Sequence, residues 1–135
     1  MPNRGFIPHD NSDGRVPPWE YLPATAITPK IGMALILSSG QLAIATGTTK
    51  PEFISMTERD AALTAGDIIP VIKVLEDQVF ETTNSASLSG VNVGARVTLH
   101  ASNGLQVTGT TSSGVAEIVA KDGDDAGSRV LVRFP

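Results

Sequence analysis

From Lys30 to the end of the chain, short apolar runs alternate with clusters of Gly, Ser, Thr, Asn and Asp. This pattern predicts strands at Met33–Leu37, Leu42–Thr46, Glu52–Met56, Ile68–Leu75, Val79–Thr82, Arg96–His100, Leu105–Thr108, Val115–Ala120 and Arg129–Phe134. Strands at such short, regular spacing with turn residues between them are the signature of a small β-barrel or sandwich. Asn103-Gly104 is the strongest hairpin turn, because Asn and Gly tolerate the positive φ of a type I′ turn; Ser39-Gly40 is a weaker form of that signal. Pro70 lacks a donor, which puts the Ile68–Leu75 strand at a sheet edge or its start at a bulge. Thr57–Ala65 holds good helix formers after an N-cap residue and before Gly66. It reads either as a short helix or as a loop.

The pattern repeats at an offset of roughly sixty residues. Ile31–Leu37 resembles Val93–Leu99, each followed by a turn and an apolar strand, and Thr46-Gly-Thr-Thr matches Thr108-Gly-Thr-Thr. Ala65-Gly66 and Ala126-Gly127 both precede apolar strands. Two similar four-strand halves, 31–75 and 93–134, would produce this. So would the ordinary reuse of Gly and Thr in hairpins. The polar stretch Glu81–Gly90 reads as a surface loop or crossover between the halves, and Lys121–Gly127 as an acidic turn.

The first 29 residues differ from this body. They hold six of the nine prolines, together with Phe6, Trp19 and Tyr21. Proline fixes φ and removes an amide donor, so Val16–Pro23 is neither a helix interior nor a central strand. The segment reads as an extended arm, 1–29, ahead of a body at 30–135. Large apolar side chains are costly to leave in water, so Phe6, Ile7, Trp19, Tyr21 and Leu22 are the expected anchors on a partner. The competing arrangement folds the arm back on its own barrel.

Composition narrows the chemistry. The chain has 135 residues, 41% of them hydrophobic, enough for one core. A net charge of −4, with ten scattered Lys and Arg, argues against nucleic acid as a partner. No apolar stretch is long enough to cross a bilayer. The absence of Cys removes disulfides, thiolate metal sites and a Cys nucleophile. His9–Gly14, with Glu20 beyond it, partly matches a calcium-loop spacing. Its first position is His, however, and Pro17-Pro18 fill the helix entry, so a turn is the better reading. Asp122, Asp124 and Asp125 likewise read as a solvated turn. With only His9 and His100, no nucleophile elbow and no phosphate-binding Gly loop, no catalytic, cofactor or metal site is expected, and the chain reads as non-enzymatic.

Gly32-Met-Ala-Leu-Ile-Leu with its hairpin, Pro51-Glu-Phe-Ile-Ser-Met, Ala65-Gly-Asp-Ile-Ile-Pro-Val-Ile-Lys-Val and Arg129-Val-Leu-Val-Arg-Phe resemble small tailed-phage capsid decoration (cement) proteins. The resemblance covers Lys30 to Pro135 as a pattern. It implies a virion structural protein on the outer surface of the head, present in the host cytoplasm during assembly. Its partners would be the major capsid protein and itself, as a homotrimer that stabilises contacts between capsid subunits. A carbohydrate-binding module of a phage fibre, with Trp19 and Tyr21 as a platform, is the alternative expectation.

Overall fold

A computed structural model describes residues 5–11 and 19–135. Among these residues, eleven strands build two sheets. In chain order they are β1 (Ile7–Asn11), β2 (Trp19–Pro23), β3 (Ala34–Ser38), β4 (Gln41–Ile44), β5 (Phe53–Ser55), β6 (Ile68–Lys73), β7 (Gln78–Asn84), β8 (Arg96–Val97), β9 (Gln106–Val107), β10 (Ala116–Lys121) and β11 (Arg129–Arg133). The first sheet runs β2-β6-β5-β3-β4, and the second β1-β7-β11-β10-β8 with β9 added parallel to β7. The chain is all-β, as the spacing of apolar runs predicts.

The two sheets repeat one plan. In the first, β3 pairs with β4 and β5, β5 with β6, and β6 with β2. In the second, β8 pairs with β10, β10 with β11, and β11 with β7, while Leu99, two residues past β8, bridges Val107 of β9. Each sheet also curls until its ends meet. Ala24, just past β2, bridges Leu42 of β4 in parallel, and β7 meets β9 in parallel.

Individual backbone bonds coincide between the halves. Thr25 N–H donates to Leu42 O (2.9 Å) and Ser85 N–H to Val107 O (2.7 Å). Ala24 N–H donates to Asp67 O (2.8 Å) and Asn84 N–H to Ser128 O (3.2 Å). Gly32 N–H donates to Ser55 O, and Gly94 N–H to Ile118 O, both at 2.8 Å. The repeated unit therefore has five strands, not four. Its first copy begins at Trp19 and its second at Gln78, ahead of the 31 and 93 that the sequence pattern suggests. These bonds place Leu42 level with Val107. The shared Thr-Gly-Thr-Thr tetrapeptides, which follow those two residues at different distances, are thus out of step.

Buried side chains fall into two clusters. Leu35, Leu42, Phe53, Ile69 and Val71 fill the first barrel. Phe80, Val97, Leu99, Ile118, Val130, Val132 and Phe134 fill the second. Ala34, Ile54 and Ile72, on the other face of the first sheet, join the second cluster and fuse the two barrels into one body.

Of four local expectations, one that the sequence left open is settled and three are corrected. Residues 57–65 form a loop, because their amides bond elsewhere: Arg59 N–H to Pro29 O, Leu63 N–H to Ile27 O, and Thr57 N–H to Ser55 Oγ. The tight turn is Ser39-Gly40, with φ of 52° and 80° between the paired Ser38 and Gln41. Asn103-Gly104 lies instead in a wider loop held by Asn103 Oδ1, which accepts from Leu105 N–H, and by His100 Nδ1, which accepts from Ser102 and Asn103 N–H. β6 is internal, between β2 and β5, yet Pro70 is accommodated, since it lies one residue beyond the end of β5 and its carbonyl still accepts from Met56 N–H.

The third correction concerns the arm. Among the described residues, 5–11 and 19–29 are part of the body. β1 pairs with β7, β2 pairs with β6, and the prolines of both strands are at sheet edges, where a missing donor is tolerated.

Candidate docking surface

The five anchors expected from sequence go to different places. Phe6 is fully buried and packs edge-to-face on Phe134, and its N–H donates to Gly32 O at 2.7 Å. It belongs to the core, not to an exposed anchor. Ile7 is half-buried and pairs with Glu81 on β1. Leu22 is half-buried against the first-barrel core, which uses its side chain internally. Trp19 and Tyr21 remain outside, 52% and 68% exposed.

Strand alternation explains the split. Glu20 and Leu22 share the face of Val71 and Ile69, which line the first barrel. Trp19, Tyr21 and Pro23 share the opposite, outer face with Ile72, Pro70 and Ile68 of β6. Ile72 is covered by the second barrel, whereas Ile68 is 63% exposed. The result is an apolar surface of Trp19, Tyr21, Pro70 and Ile68 running away from the seam between the barrels. Sequence inspection missed Ile68 and Pro70. The available signal was that Ile68–Ile72 is apolar at every position, so both faces of this strand are apolar.

The same surface of the second barrel is built from different chemistry. Where β2 and β6 carry Tyr21 and Ile68, β7 and β11 carry Glu81 and Arg129, joined at 2.7 Å. The Glu81 carboxylate, by hydrogen bond and charge, raises the Arg129 pKa above its usual value. Arg133 Nε donates to Glu117 at 2.7 Å farther along that face. One fold position is thus charged and self-paired in one barrel and apolar and uncovered in the other. Exposed apolar clusters of this kind mark contact surfaces.

The other candidates do not assemble. Among the described residues, no three His, Asp or Glu side chains converge on a point that would hold a metal. Lys121 neutralises Asp124 at 2.6 Å, and Arg129 lies 3.5 Å from Asp122, which accounts for the acidic turn. Of the His9–Gly14 segment that reads as a turn, His9–Asn11 belong to strand β1, and Ser12–Gly14 lie outside the described residues. An open cleft of about 520 Å³ is lined by Leu37, Pro51, Phe53 and Leu75 together with the charged Lys50, Glu52, Lys73 and Glu76, and contains neither Trp19 nor Tyr21.

Fold and surface define a class: a duplicated all-β body that carries an apolar outer face among its described residues. Comparison with protein families, with curated proteins and with solved structures finds no match for this chain.

Proposed function

We propose that this chain is a non-enzymatic virion structural protein that binds the outside of a phage head and stabilises contacts between major capsid subunits. The supporting observation is the outer face of Trp19, Tyr21, Pro70 and Ile68, which no described residue covers where the sister barrel carries a Glu81–Arg129 pair. Two fused barrels with continuous cores form a stiff body, which loses little conformational entropy on docking. Repetition over an icosahedral lattice adds avidity, so a small apolar face suffices per copy.

Sugar binding through Trp19 and Tyr21 is the less favoured reading. Aromatic platforms need hydrogen-bonding side chains beside them to select a sugar. The side chains sharing this face on β2 and β6 are Pro23, Ile68, Pro70 and Ile72, which offer none.

The test titrates the purified chain onto heads of its phage assembled without it and follows bound protein by sedimentation. Saturable binding with a raised temperature of head disruption is the expected result. Heads that neither retain the chain nor gain resistance overturn the reading.

A further inference from the structure

Asn103-Gly104 is the one Asn-Gly pair in the chain, and its loop holds the asparagine ready to react with its own backbone. Asn103 Oδ1 accepts from Leu105 N–H at 2.7 Å, and Asn103 Nδ2 donates to Gln106 Oε1 at 3.3 Å. The side chain is thereby folded forward along the chain, in the turn that Asn makes with the amide two residues on. Closing that turn lays Asn103 Cγ alongside the Gly104 nitrogen, which belongs to the same ring of atoms. The N–H groups of Ser102, Asn103 and Leu105 are all bonded, whereas that of Gly104 has no partner among the described residues. Glycine also brings no side chain to hinder an approach to its nitrogen.

We propose that Asn103 is a modification site, at which the chain deamidates itself to aspartate and isoaspartate without an enzyme. The Gly104 nitrogen gives its proton to solvent hydroxide and bonds to Asn103 Cγ, placing negative charge on Oδ1. The Leu105 N–H already points at that oxygen, and a donor aimed where charge develops lowers the barrier. The Cγ–Nδ2 bond then breaks, Nδ2 takes a proton from water, and ammonia leaves behind a five-membered imide. Water opens the imide at Cγ to give aspartate, or at the Asn103 backbone carbonyl to give isoaspartate. Water is the only reactant consumed. Asn84 and Asn92 precede Ser85 and Val93, whose side chains hinder the same attack.

The position of the loop gives this change a structural outlet. Gly104 O accepts from Ala34 N–H at 2.8 Å, a bond between the second barrel and the first. Isoaspartate runs the backbone through Cβ and lengthens it by one carbon just ahead of that carbonyl. Either product also sets a carboxylate against Gln106 Oε1, where an amide donated before. Gln106 cannot simply turn its amide round, because its Nε2 donates to Thr83 Oγ1 at 3.2 Å. Deamidation is thus a slow, one-way loosening of the joint between the barrels. It goes beyond the head-binding reading and proceeds in the free chain.

The test ages the folded full chain in warm, mildly alkaline buffer and then digests it with trypsin. One product is Val97–Lys121, in which Asn103 is the one asparagine. The expected result is a mass gain of about 1 Da in this peptide, part of it a substrate for isoaspartate methyltransferase. The peptide Val74–Arg96, which carries Asn84 and Asn92, should keep its mass. Hydrogen exchange at the Ala34 amide should be faster in the aged chain than in the fresh one. Asn103→Gln, which would have to close a six-membered ring, should remove the mass gain. Fragment masses of the unsubstituted peptide locate the change independently if that variant fails to fold. A constant mass in the folded chain, while the isolated peptide of the same sequence converts, overturns the proposal, as does a gain located at Gln106. Conversion with unchanged exchange at Ala34 overturns the loosening of the joint. None of these readouts uses heads, so failure of the head-binding reading leaves the proposal standing.

Discussion

The rings of Phe6 and Phe134 meet with centroids 5.3 Å apart and planes at 65°, and the Phe80 ring lies 5.7 Å from that of Phe134. This trio joins the start of the described chain to its end inside the second barrel. Phe6 also reaches the first barrel through its N–H bond to Gly32 O. The leading segment is therefore a clasp between barrels.

Phe6→Ala should destabilise the protein by about 3–5 kcal/mol, the usual loss for emptying a buried aromatic site. Urea unfolding checks this; an unchanged midpoint would mean that Phe6 is not a core residue. Deleting residues 1–22 removes Phe6, β1 and most of β2 together, and should abolish cooperative unfolding.

Gly5 has a φ of 74°, and a Cβ there would lie 2.6 Å from the carbonyl carbon of Gly32. Gly5→Ala combines an unfavourable backbone region with a clash against immobile backbone, so a loss of about 2 kcal/mol or more is expected. A drop in thermal midpoint without loss of the folded circular-dichroism spectrum is the outcome to look for.

Lys121 Nζ donates to Leu88 O (3.2 Å), Val91 O (2.8 Å) and Asp124 Oδ1 (2.6 Å), tying the segment after β7 to the turn after β10. Lys121→Met keeps the aliphatic stem and strands two carbonyl acceptors. The expected cost is about 2 kcal/mol, with faster amide exchange at Leu88 and Val91.

Ser39 holds a left-handed φ of 52° in a two-residue turn. Asn tolerates this region better, so Ser39→Asn should raise stability by about 0.5 kcal/mol. A lowered denaturation midpoint would count against the type I′ geometry.

Trp19→Ser and Ile68→Lys alter exposed positions and should move stability by no more than about 0.5 kcal/mol. Both should nonetheless weaken sedimentation with heads at least tenfold. Binding that survives both changes would place the docking surface elsewhere.

The spacing of apolar runs carried the all-β class, most strand positions and the repeated plan, because each barrel strand must present side chains to its core at period two. Trp19 and Tyr21 were legible as uncovered rings for a similar local reason: prolines around them preclude a helix or a central strand. The fate of Phe6 was not legible, since its partners Phe80 and Phe134 lie far along the chain and only closure of the second barrel brings them together. The same holds for the apolar face, where Ile68 and Pro70 join Trp19 and Tyr21 only once β2 takes its register on β6. Local pattern determined which segments are extended and which side of each is apolar. Tertiary pairing alone decided which apolar sides face a core and which face outward, because burial depends on the neighbour a strand finds.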